Sequence, residues 1–157
     1  MLASAECYRL VKPVNIAPLL AALDALQFVR AGNMAGAAPA LVTIPSAELP
    51  ETVTRFVAGL GLGGRTHRRF FRRLEPGQGI PLHVDDWIPV ASNLRRFQVP
   101  VVTHPEIIMR WPYDGVEAHL APGFLYEVRY DRHHEVVNTT ASERLHLQID
   151  QIGATIA

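Results

Sequence analysis

The strongest constraint on the fold is the rhythm of the second half of the chain. From about residue 65 onward, short β-rich runs alternate with Pro/Gly turns, and no long helical pattern interrupts them. The stretches RRFFRRLEPGQGIPLHVDDWIPV, RRFQVPVVTHPEIIMRWPYDGVEAHLAPGFLYEVRYDRHHEVVNTT and SERLHLQID hold about seven strands in roughly 85 residues. Such spacing points to an antiparallel barrel or sandwich.

The first part of the chain reads differently. Ile16, Leu19, Leu20, Leu23 and Leu26 recur at helical spacing after Asn15, which can serve as an N-cap, and Gly32 follows them. A second helical pattern begins near Ser46 and Glu48 and carries Val53, Phe56, Val57 and Leu60 before a glycine-rich stop. Leu41 to Ile44 reads as a short strand. The expected organisation is one domain over residues 1–157, with a helical cap region over 1–64 and a β-barrel-like core over 65–157.

Composition narrows the function. With 157 residues the chain can bury one sizeable core, and 15 basic against 15 acidic residues leave no positive excess for wholesale binding to nucleic acid or an anionic membrane. No apolar run approaches the ~20 residues needed to span a bilayer. The N-terminus shows no basic segment followed by a long apolar one, and Cys7 is the single cysteine, so the expected location is the cytoplasm.

Several motifs could carry chemistry. Gly59 to Gly64 satisfies G-x-G-x-x-G, but it follows a helical pattern and opens a β-rich run, which is the wrong context for a dinucleotide loop. The run from Arg65 to Arg73 packs arginines and phenylalanines together. It could be a phosphate or nucleic-acid patch, but strand alternation would divide its arginines between two faces, which favours a solvated strand with one or two functional arginines. His83 and Asp85, two apart on a strand, project from one face and can converge on a metal ion; a surface pair is the plainer reading of the motif alone. A 2-His-1-carboxylate site needs another histidine, from His67, His104, His119, His133, His134 or His146. If His134 faces a cavity, Val136 and Asn138 share its face and His133 does not. From Glu143 to Asp150 alternation is clean: Arg144, His146, Gln148 and Asp150 line one face and Leu145, Leu147 and Ile149 the other. A wholly polar face can lie in solvent or line a polar pocket, and the sequence slightly favours solvent.

The ordered set His83-x-Asp85, Arg96-Phe97-Gln98-Val99-Pro100, Gly123-x-x-Tyr126-Glu127, His134-x-Val136-x-Asn138 and Arg144-Leu145-His146-Leu147 resembles the aspartyl/asparaginyl β-hydroxylase family. The resemblance runs from about Arg72 to Asp150. It implies a mainly β, double-stranded β-helix (jelly-roll, cupin-like) core and an Fe(II)- and 2-oxoglutarate-dependent dioxygenase. Such an enzyme hydroxylates an amino-acid-like or peptidyl substrate with O2 while 2-oxoglutarate yields succinate and CO2. On this resemblance His83, Asp85 and His134 are the metal ligands, and Arg144 pairs with the far carboxylate of 2-oxoglutarate. Arg96 and Gln98 contact the cosubstrate near its metal-binding end, and Asn138 orients the loop or a ligand. Family members often carry histidine where Gln98 stands. Animal members lack the carboxylate ligand, so Asp85 makes this chain resemble bacterial and phage-type members with a complete triad. Asp86, Trp87, Arg110 and Trp111 are candidate substrate contacts, with turn residues and partly buried aromatics as the plainer reading. A non-oxidising cupin that holds a metal or small ligand is the alternative function.

Overall fold

A computed structural model describes residues 6–30, 41–43, 49–85 and 93–157. Eleven strands form among them: β1 (Tyr8–Pro13), β2 (Phe28–Arg30), β3 (Leu41–Thr43), β4 (Arg65–Leu74), β5 (Ile80–His83), β6 (Leu94–Val102), β7 (Ile108–Trp111), β8 (Val116–Ala118), β9 (Phe124–Val128), β10 (His134–Val137) and β11 (Arg144–Ile152). Two helices accompany them, α1 (Ala17–Ala21) and α2 (Glu51–Gly59). The strands make a seven-stranded sheet, ordered β1-β9-β6-β11-β4-β3-β2, and a four-stranded sheet, ordered β5-β10-β7-β8. Every ladder is antiparallel. This is the expected double-stranded β-helix. No described helix is long and apolar enough to cross a membrane.

β11 lies in the middle of the larger sheet, between β4 and β6, and is buried on both faces. Leu145, Leu147 and Ile149 pack with Val53 and Val57 of α2 and Leu19 of α1 in one apolar core. The opposite face looks into the barrel, where Met109, Trp111, Val128 and Val136 belong to a second core. Strand alternation sorts β4 in the same way. Phe71 joins the helix-side core, while Arg68 and Arg72, on the other parity, turn into the barrel. The basic run is thereby divided: Arg69 bonds Thr54 on α2, and Arg73 pairs with Glu143.

The described residues before Arg65 are less helical than their periodicity predicts. β1 pairs with β9 in the register Tyr8↔Val128, and Tyr8 stacks on Trp111 at 5.7 Å. The first helical pattern yields only five α-helical residues and a 3-10 turn over Leu23–Ala25. Asn15 does accept the Ala17 N–H at its Oδ1, 3.1 Å away. The second helix starts later than expected because Pro50 is its N-cap residue: a proline disfavours helical backbone in the residue before it. Gly63 and Gly64 have φ of 72° and 65°, and a Cβ on either would strike Thr155 or the Ile152 carbonyl. The glycine run is therefore a tight turn against the end of β11.

Candidate functional site

Three ligand-type side chains meet near the ends of β5 and β10. β5 ends on His83, Asp85 follows, and β10 opens on His134, which stands opposite His83 in the ladder. One ligand atom from each lies within 4.8 Å of the other two. The imidazole centroids are 4.4 Å apart, and His83 Nε2 is 3.5 Å from Asp85 Oδ1.

The backbone sets the tautomer of both rings. His83 Nδ1 is 2.8 Å from the Pro81 carbonyl and His134 Nδ1 is 2.7 Å from that of Arg132. A carbonyl only accepts, so each neutral ring carries its proton on Nδ1 and keeps the Nε2 lone pair for a metal. Burial pushes His134 down to about 4, which leaves it neutral at pH 7. His133 has the opposite parity: it is exposed, its ring 5.0 Å from Tyr113.

Asp85 is held from behind. Arg96 Nη1 donates to its Oδ2, while Arg96 Nε and Nη2 donate to Asp150 at 2.7 and 3.0 Å. Arg68 Nε adds a third bond to Asp150, at 2.7 Å, and the Tyr130 ring centroid lies 5.1 Å from the Arg96 guanidinium. Burial alone would raise both carboxyls. The charge and hydrogen bonds of Arg96 more than offset it, so Asp85 and Asp150 both lie below the usual carboxylate value. The chain of contacts leaves Asp85 Oδ1 on the histidine side and commits Oδ2 to Arg96. Arg96 was expected to meet the cosubstrate. It lines the cavity, and its guanidinium hydrogen-bonds to these two carboxylates.

One cavity joins the two histidines of the triad to the polar face of β11. His83, Arg96 and His134 line it together with Arg72, Gln98, Arg144, His146 and Gln148. That polar face is therefore interior, contrary to the slight preference for solvent, because the smaller sheet covers it. Gln98 Oε1 sits 3.3 Å from Arg144 Nη2 and 2.9 Å from His146 Nδ1. Arg144 is 4% exposed, and no carboxylate among the described residues pairs with it. Burial, then the like charge of Arg72, act against its charged form. Arg72 Nε, His146 Nε2 and Gln148 Nε2 are buried without a hydrogen-bond partner.

The remaining expected residues fall elsewhere. Asn138 organises a turn: its side chain donates to the Ser142 carbonyl and accepts from Thr140 N and Oγ1. Trp111 was expected at the substrate. It is fully buried in the inner core, its Nε1 donating to the Arg129 carbonyl, because the inward parity of β7 and the Tyr8 stack take the ring out of reach. Arg110 has the outward parity and lies on the surface of β7, 3.3 Å from Glu117 and 3.9 Å from Glu135. Asp86 and Trp87 lie outside the described residues. The places of Arg68 beside Asp150 and of Arg72 in the cavity were not assigned from the sequence, although the alternation of β4 carried the signal.

No protein-family model matches the sequence, and no curated protein does. Solved structures do resemble the fold. The non-heme alpha-ketoglutarate-dependent epimerase SnoN from nogalamycin biosynthesis is 19% identical with a TM-score of 0.68, over 92% of this chain and 78% of that one. An oxidoreductase of the 2OG-Fe(II) oxygenase family from Burkholderia pseudomallei is 17% identical with a TM-score of 0.62, over 87% and 78%. A predicted oxalate decarboxylase from Thermotoga maritima is 13% identical with a TM-score of 0.53, over 82% and 95%. At these identities the likeness establishes the shared cupin-like barrel.

Proposed function

We propose that the chain is an Fe(II)- and 2-oxoglutarate-dependent dioxygenase that hydroxylates an amino-acid-like or peptidyl substrate. The observation that carries this reading is one cavity lined both by His83 and His134, which meet Asp85 with free Nε2 lone pairs, and by a buried Arg144 that no carboxylate among the described residues pairs with. The donor set fits: two neutral imidazoles and a carboxylate suit Fe(II) and leave positions open for other ligands. The anion site fits too, since a planar guanidinium makes a bidentate, charge-assisted pair with a carboxylate. When bound, iron and 2-oxoglutarate supply the oxidising chemistry, in which O2 is consumed, succinate and CO2 leave and the substrate gains a hydroxyl.

The protein's part is position and charge. Pro81 and Arg132 carbonyls aim the imidazoles, and Arg96 fixes the carboxylate plane of Asp85. Arg144 receives the far carboxylate of 2-oxoglutarate, with Gln98 holding its guanidinium. The apolar side chains of Met109, Val128 and Val136 line the same cavity and strengthen these electrostatic contacts by excluding water. Kinship with the aspartyl/asparaginyl β-hydroxylases is supported by the motif order alone.

The test is an anaerobic absorbance titration with Fe(II), then with 2-oxoglutarate. A visible charge-transfer band that needs both, and is lost in Arg144→Ala and His134→Ala, is the expected result. Iron binding without that band would remove the dioxygenase reading and leave a non-oxidising cupin. Because one similar structure is an epimerase, product analysis should score stereochemical inversion as well as oxygen gain.

A further inference from the structure

Four arginines of β4 have clear partners or a clear place outside the barrel, or bind Asp150 within it; Arg72 differs. Its Nε is buried with no hydrogen-bond partner, and among the described residues no carboxylate lies within ion-pair distance of it. The Phe70 ring, with its centroid 5.5 Å from the guanidinium carbon, supports it on one side. Arg72 stands opposite His146 in the β4–β11 ladder, and Arg144 stands opposite Leu74. Arg72 and Arg144 are therefore diagonal neighbours on one face, a separation long side chains span. Both line the cavity, and burial and the charge of Arg96 act against the charge of Arg72 as burial and Arg72 act against that of Arg144.

Asp85 and Asp150 favour the charge of Arg72 only from beyond ion-pair distance. Two desolvated guanidiniums with no carboxylate of the described residues in direct contact are a poor arrangement for packing and a good one for an anion. Gln148 Nε2, a buried donor without an acceptor, lines the same space. The inward face of β11 thus carries a surplus of donors beside the triad.

We infer that Arg72 is a second recognition residue for the cosubstrate, sharing its far carboxylate with Arg144 so that the cavity selects a 2-oxo dicarboxylate over a 2-oxo monocarboxylate. The inference rests on the dioxygenase reading for the identity of the anion. The carboxylate accepts from both guanidiniums and neutralises a pair that otherwise repels.

Calorimetric titration of the Mn(II)-loaded protein tests this without turnover. 2-Oxoglutarate and 2-oxopentanoate, which has the same five carbons and no far carboxylate, are compared on the wild type, Arg72→Met and Arg72→Lys. Arg72→Met should weaken 2-oxoglutarate about 10- to 100-fold, the worth of one charge-assisted hydrogen-bonded contact, and leave 2-oxopentanoate unchanged. Arg72→Lys, which keeps the charge and loses the fork, should fall between. The metal-free Arg72→Met protein should melt no lower than the wild type, because it loses a buried charge that no carboxylate among the described residues contacts. Wild-type affinity for 2-oxoglutarate in Arg72→Met, or an equal loss for both ligands, would overturn the inference while the dioxygenase reading stands. A wild type that holds Mn(II) and ignores 2-oxoglutarate overturns both.

Discussion

Asp150 is the residue whose loss should tell most about how the triad is held. It is 0% exposed and takes two hydrogen bonds from Arg96 and one from Arg68, and Arg96 in turn holds Asp85. Asp150→Asn keeps the shape and one acceptor for Arg96 Nε but removes the buried negative charge between two guanidiniums. Removing one partner of a buried ion pair costs about 3–5 kcal/mol. The retained acceptor puts this case near 3. At ~2–4 °C per kcal/mol for a domain of this size, the melting temperature should fall by roughly 6–12 °C. A second effect falls on the metal: Arg96, released from Asp150, competes for Asp85, and affinity for Mn(II) should drop about 10- to 100-fold, as for other groups that support a ligand. Asp131→Asn is the control. It breaks the Arg129 pair, whose side chains are 46% and 44% exposed, and such pairs contribute ~0–1 kcal/mol. Thermal melts by circular dichroism and a metal titration on both variants give the answer. Melting within ~2 °C of wild type and unchanged metal affinity in Asp150→Asn would refute the support role of Asp150.

Three further outcomes rest on burial and backbone geometry. His134 and His146 are buried with pKa values below the ordinary histidine value, so the unfolded chain binds protons that the folded chain does not. Their stabilising contribution is complete above about pH 6.5 and is lost as pH falls toward the folded values; His134, at about 4, accounts for ~2 kcal/mol of that loss by pH 5 in metal-free protein and His146 adds in the same direction. Urea midpoints that are equal at pH 7 and pH 5 would contradict this. Gly64→Ala should destabilise by about 2–4 kcal/mol, since φ is 65° and a Cβ would lie 2.1 Å from the Ile152 carbonyl oxygen. Gly59→Ala, on the last helical residue of α2 with open space around it, should gain about 0.5–1 kcal/mol, and comparing the two melts checks the sign.

Much of the site was legible because β-strands alternate. Residues two apart share a face, and that rule alone joined His83 to Asp85, separated His134 from His133 and grouped Arg144, His146, Gln148 and Asp150. The same rule divided the arginines of β4. It says nothing about what lies opposite a face. The polar side of β11 is interior only because the smaller sheet covers it, and Trp111 is core only because β1 brings Tyr8 against it. The N-terminal strands were hidden for a related reason. β1 follows from the free edge of β9, a partner more than a hundred residues away in the chain, and not from a pattern in its own sequence.

The division is between periodicity and pairing. The local order of side chains determined the strand-rich core, the face on which each candidate ligand stands and the residue types available for a metal and an anion. Tertiary structure decided the partners. It tied Arg96 to Asp85 and Asp150 and gave Asn138 a turn to hold. It also left Arg72 and Arg144 facing one space with no carboxylate of the described residues between them. Which charge meets which depends on contacts across two sheets, and burial then sets how much each meeting is worth.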